Sequence, residues 1–174
     1  MDSILLNSLK TYVFIYMAYS GKYTVKNKNK YMGDPSQVVY RSLWEKHAFK
    51  WCDSNPRVQR WGSEEVVIPY LYEVDKKYHR YFMDLVIEYT NGQTLLVEIK
   101  PDKETRPPTG ARRTKRFINE AMTFVKNQNK WEAASEYAAD RGWHFQIWTE
   151  KELTKKGILP KAIKPLKPYS RKKK

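Results

Sequence analysis

From Tyr81 to Pro101 the chain reads YFMDLVIEYTNGQTLLVEIKP. Apolar residues alternate at Met83, Leu85 and Ile87, and again at Leu95, Val97 and Ile99, on either side of Asn91-Gly92. Period-two alternation flanking Asn-Gly is the strongest short-range signal for a β-hairpin. Three ionisable residues interrupt the apolar text: Asp84, Glu98 and Lys100.

Register determines whether those three meet. A two-residue loop pairs Thr90 with Gln93, sets Glu98 against Leu85 and mixes charge into the apolar face. A three-residue loop with Gly92 left-handed, a G1 bulge, pairs Tyr89 with Gln93. Met83, Leu85 and Ile87 then oppose Ile99, Val97 and Leu95, and Asp84 lies opposite Glu98 with Lys100 beside it. A one-residue slip moves every side chain to the other face, so the apolar match selects the second register. Two carboxylates so placed repel unless a cation lies between them. Hard oxygen ligands with open positions suit Mg²⁺ or Mn²⁺. A lysine beside them orients water or neutralises a developing oxyanion.

At 174 residues the chain is expected to form one domain with a core of its own. Lys and Arg number 33 against 19 acids, a net charge of +14, which points to a polyanionic partner. A lone cysteine, Cys52, excludes a disulfide framework and is expected to pack in the core. Ile4 to Tyr19 is apolar-rich with helical spacing, yet it carries Lys10 and is too short for a bilayer span of ~20 residues. Residues 1–16 are expected to be an extension without a catalytic role. Residues 17–33, with KYTVKNKNK at 22–30, form a basic arm that is either solvated or set against DNA.

Residues 34–160 are assigned to the principal domain. Asp34-Pro35 opens a helix, with Tyr40, Leu43, Trp44, His47, Ala48 and Trp51 as its apolar stripe and Asn55-Pro56 as its stop. Arg41 stands one turn before Glu45 and is placed to pair with it. Glu64 to Tyr72 reads as the first strand, and its Pro69 marks an edge or a bend. After Pro101 comes a basic loop with tandem prolines, in which Arg106, Arg112, Arg113, Lys115 and Arg116 would grip a nucleic-acid phosphate. A helix follows from about Thr114 to Gly142, then a strand over Trp143–Thr149 and a short helix closing at Gly157. The order is αβββαβ, an α/β fold with a mixed central sheet flanked by helices. Residues 161–174 hold seven cations and no acid, and Lys172, Lys173 and Lys174 end a tail expected to be a disordered DNA arm.

Asp84 followed by Glu98-Ile99-Lys100 resembles the PD-(D/E)xK nuclease signature, with Met83 where a proline often stands. The surrounding text is more specific: MGDPSQVVYRSLWEKHAFKW, WGSEEVVIPY, HRYFMDLVIEY and VEIKP. Together these resemble the head-completion nucleases of T4-like tailed phages and, more distantly, the TnsA-type transposon endonucleases, over roughly Ala18 to Leu153. The resemblance implies a restriction-endonuclease-like core and a Mg²⁺-dependent (or Mn²⁺-dependent) DNA endonuclease. Asp84, Glu98 and the Ile99 carbonyl would hold the metal, Lys100 would serve the water, and Glu45 would add a carboxylate from the first helix. It also implies a 5′-phosphate product and a further basic or amide side chain on the long helix, for which Lys115 and Gln128 are candidates. Double-stranded DNA and proteins of the phage head or portal region are the expected partners, in the virion and the host cytoplasm, with no membrane. Two other readings stay open: a virion protein that binds DNA ends without cutting, and a transposon-type endonuclease that needs a transposase.

Overall fold

The computed structural model describes residues 19–110 and 114–160. The expected extension 1–16, Arg112, Arg113 and the tail 161–174 lie outside the described residues.

The central hairpin takes the register that its apolar pattern selects. Strand β6 (Leu85–Tyr89) pairs antiparallel with β7 (Thr94–Ile99), matching Leu85 with Val97 and Ile87 with Leu95. The Tyr89 N–H donates to Gln93 O at 2.8 Å, the Gly92 N–H to Tyr89 O at 3.0 Å, and Gly92 has φ 83°. Glycine adopts that left-handed backbone without a Cβ clash, so the bulged turn forms there.

Around the hairpin lies a four-stranded sheet in the order β3-β6-β7-β8, where β3 is Val58–Gly62 and β8 is His144–Trp148. Strand β8 runs parallel to β7, and the 25-residue helix α2 (Lys115–Ala139) supplies the long crossover that a parallel pair requires. Strand β7 is buried along its whole length, because helices cover both faces. On one face Leu85, Ile87, Val97 and Ile99 pack with Trp44, Ala48 and Phe49 of α1 (Leu43–Ser54) and with Leu153 of α3 (Glu150–Lys155). On the other, Val86 and Leu96 pack with Ala134 and Ala138 of α2. This is the expected αβββαβ order of a restriction-endonuclease-like fold, with two additions. Residues Gly21–Lys22 form β1 and Val39–Tyr40 form β2, a small antiparallel pair. A hairpin of β4 (Val67–Tyr72) and β5 (Lys77–Phe82) is inserted between β3 and β6.

Three expectations are corrected. The first core strand is Val58–Gly62, not Glu64–Tyr72, which belongs to the inserted hairpin; VQRWG lacks the alternation that would have marked it. Met83 does not continue the face of Leu85: it packs with Tyr81, Val86 and Leu96, while Leu85 and Ile87 lie in the other core. The chain leaves one sheet and enters another at Met83-Asp84, and the alternation reverses there. Helix α1 starts at Leu43 rather than at Asp34-Pro35. Asp34 instead accepts from the N–H and Oγ of Ser36 in a turn, and Ser42 is the N-cap.

The basic segment before residue 34 is no free arm over its described part. Asp53, 2% exposed, accepts from the N–H of Lys26 at 2.7 Å, the N–H of Asn27 at 2.9 Å and the Tyr23 hydroxyl at 3.3 Å. Val25 enters the core and the Lys30 ammonium bonds Asn55 O at 2.9 Å. The positive charges face outward while the backbone is fastened.

Candidate active site

The break at Met83-Asp84 fixes where the first carboxylate stands. The Met83 N–H donates to Val66 O and the Met83 carbonyl accepts from Glu64 N–H, so the residue before Asp84 is held by the inserted hairpin. Leu85, the residue after it, is held in the core sheet by Val97. Between them, Oδ2 of Asp84 accepts the Ile99 N–H at 2.7 Å, which ties the carboxylate across to β7. The ladder ends at Leu85, so Asp84 reaches Glu98 past its end rather than within it.

Glu98 is 2% exposed and points toward α2, as Leu96 does. Its Oε2 accepts the Tyr81 hydroxyl at 2.8 Å, and its Oε1 lies 3.3 Å from the Lys100 ammonium. Burial, then Glu98, then Glu45 push the Asp84 carboxyl well above the ordinary aspartate range, against the Ile99 N–H and Lys100. Burial lowers Lys100, but Glu98, Asp84 and Glu104 outweigh it, and the net shift is upward. The lysine therefore stays charged. Burial and then Glu98 raise the Tyr81 phenol, which remains a donor.

Helix α1 supplies the third carboxylate. The Ser42-Leu-Trp-Glu45 run is a capping box. The Glu45 N–H donates to Ser42 Oγ at 3.1 Å, the Ser42 hydroxyl bonds Glu45 Oε1 at 2.9 Å, and the Arg41 N–H bonds Oε2 at 2.8 Å. Burial raises the Glu45 carboxyl above its usual range, the Arg41 N–H and Ser42 oppose this, and Glu64 adds to it. The Arg41 guanidinium does not pair with Glu45 as the sequence suggested. It forms two 3.0 Å bonds with Glu64, whose φ of 58° turns it toward the site.

The structure thus brings together Glu45, Asp84, Glu98, Ile99 and Lys100. The basic candidates are more scattered. Arg106 is exposed and pairs with Asp102 at 2.8 Å, Arg116 is exposed and pairs with Glu120 at 2.9 Å, and Lys115 is exposed at the start of α2. Gln128 faces Phe145 and Ile147 across a separate cavity, away from the carboxylates. Two side chains that the sequence did not reveal complete the site. Tyr81 was hidden because the face reversal at Asp84 turns it toward Glu98. Lys130 lies over the Tyr81 ring, 4.9 Å from its centroid. Burial lowers Lys130, while Glu98 and Asp84 oppose that and Lys100 and Lys126 add to it. Its only sequence signal was its place one turn from Asn127 and Ala134 on the buried face of α2.

Among the described residues no three Asp, Glu, His or Cys side chains converge as a metal-holding group by themselves. Two close carboxylates with an adjacent backbone carbonyl nonetheless fit a small hard cation such as Mg²⁺, which keeps several waters and takes one or two carboxylates. Burial first, and then the Glu98 and Glu45 carboxylates, hold the Asp84 carboxyl above its ordinary range. Among the same residues no helix is long and apolar enough to cross a membrane.

Comparison with known proteins agrees with this geometry. Residues 55–150, more than half of the chain, match the family described as TnsA-like endonuclease N terminal. The head completion nuclease of Enterobacteria phage T4 is 48% identical over 149 residues, 82% of this chain and 98% of that protein. No solved structure matches. With Asp84, Glu98 and Lys100 inside the matched region, the chain belongs to the TnsA-like endonuclease family and is a homologue of the phage T4 head completion nuclease.

Proposed function

We propose that this protein is a Mg²⁺- or Mn²⁺-dependent DNA endonuclease of the PD-(D/E)xK type, acting in phage head completion after DNA is packaged. The observation that carries the reading is the Asp84–Glu98 pair, held at the junction of two sheets with the Lys100 ammonium 3.3 Å from Glu98. Asp84, Glu98 and the Ile99 carbonyl would hold the ion. Bound there, it supplies Lewis acidity toward a phosphoryl oxygen. Lys100 orients the water that attacks phosphorus or neutralises the charge that develops, and the 3′ oxygen leaves, giving a 5′-phosphate and a 3′-hydroxyl. Glu45, fixed by its capping box, adds negative potential next to Asp84, which would favour a cation there. Arg106, Arg112, Arg113, Lys115, Arg116 and the terminal Lys172, Lys173 and Lys174 hold the DNA backbone, and a head or portal-region protein is the expected partner in the virion.

The experiment is plasmid nicking with Mg²⁺ and with EDTA, on the parent, Asp84→Asn and Glu98→Gln. Cutting by the parent in Mg²⁺ alone, and by neither variant, is the expected result. Equal cutting in EDTA, or by both variants, would show that the chemistry is elsewhere.

A further inference from the structure

Beside the site, the loop 102–110 and the first half of α2 enclose a cleft of about 550 Å³. Clefts of roughly 300–1,000 Å³ hold ligands of small-molecule size. Asn127, 5% exposed, lines it and presents its side-chain amide to that space. Phe124, half-buried one turn earlier on the helix, offers a ring to the same space, and Lys103 and Arg106 also line it. The cleft adjoins the reacting groups on two sides. Glu104 lines it and acts on Lys100, and Asn127 precedes Lys130 by one helical turn.

We propose that this cleft binds one unpaired nucleotide next to the scissile phosphate, so that the preferred substrate is DNA with a single-stranded nucleotide at the cut. The placement rests on the nuclease reading above. The chemistry of the lining selects the ligand. A carboxamide presents a donor and an acceptor side by side, complementary to a base edge. An aromatic ring stacks any base, and the cations of the lining meet the phosphates. Bases in a duplex are stacked and paired and cannot enter an enclosed cleft, whereas an unpaired one enters at little cost.

The test is binding measured in EDTA, where no cleavage is needed. One probe is a blunt duplex with 2-aminopurine paired inside it. The other carries the same base in a short single-stranded overhang. The expected result is roughly ten-fold tighter binding of the overhang, with a saturable change in its emission. Asn127→Ala and Phe124→Leu should each abolish that preference while blunt-duplex affinity and melting temperature hold. Equal affinity for the two probes, or a preference that survives both substitutions, overturns the proposal. So does a melting temperature that drops by many degrees in Asn127→Ala, since the amide would then serve the fold. A parent that prefers the overhang but never cuts in Mg²⁺ would sink the nuclease reading and leave this site standing. Cutting without the preference does the reverse.

Discussion

The hydroxyl of Tyr81 donates to Oε2 of Glu98 at 2.8 Å, across the boundary between the inserted hairpin and the core sheet. Removing it in Tyr81→Phe leaves Oε2 without its donor and loosens the Glu98 side chain, so cleavage should need a higher Mg²⁺ concentration. A stability loss of about 1–2 kcal/mol should accompany it. An unchanged Mg²⁺ requirement would make Tyr81 a packing residue only.

Burial of Asp84, with Glu98 and Glu45 beside it, gives stability a pH dependence. Its folded carboxyl holds its proton above the ordinary value near 3.9. Between that value and the raised one, the folded state binds more protons than the unfolded state, so metal-free stability falls as pH rises. Asp84→Asn removes this penalty and keeps an acceptor for the Ile99 N–H. At pH 7.5 in EDTA the variant should melt above the parent, each kcal/mol amounting to about 2–4 °C in a chain of this size. Adding Mg²⁺ should raise the parent and not the variant. A variant that melts lower in EDTA would mean that the ionised carboxylate carries no penalty in the fold.

Two lysines approach the carboxylates, and their roles separate kinetically. Lys100→Met should leave DNA binding near parental and slow the chemical step by ~10²–10⁴-fold. Lys130→Met should cost less in single-turnover rate and more in KM, because Lys130 sits over the Tyr81 ring rather than against Glu98. An equal loss of rate in both would assign the water to Lys130 as well.

Asp53 fastens the segment before β2. Asp53→Ala orphans two backbone N–H groups and a phenol and should cost about 2–4 kcal/mol in urea denaturation. A loss under ~0.5 kcal/mol, the scale of an ordinary surface change, would show that the segment holds by other contacts.

Ending the chain after Pro160 removes seven cations. DNA affinity should fall and the slope of log affinity against log salt should flatten. Cutting at low salt should persist. Identical salt curves would remove the tail from the DNA interface.

The hairpin and its register were legible because turn chemistry and face matching are local, and they bring Asp84, Glu98 and Lys100 near one another. The long α2 helix was legible from Thr114, whose Oγ caps the Phe117 N–H at 3.1 Å, to Gly142 at φ 66°. The reversal at Met83-Asp84 was not, since alternation assumes that a strand stays in one sheet and only tertiary pairing ends that. Tyr81 was lost with it. The capping box at Ser42 and Glu45 was written in the sequence, but Asp34-Pro35 offered a stronger-looking start and drew the helix boundary too early. Lys130 was not legible, because no periodicity separates a lysine leaning over a ring from one in water.

The inserted hairpin leaves and rejoins the core at neighbouring points, since the Glu64 N–H bonds Met83 O at 2.9 Å. An excursion whose ends touch is already closed on itself, so the core sheet bears little of its loop-closure entropy. Its turn, with Lys76 at φ 56° and Val74 half exposed, is where length can change without moving Asp84. The β4–β5 turn is thus a tolerant insertion point, and a fluorophore or peptide tag placed there would report on the protein without entering the site.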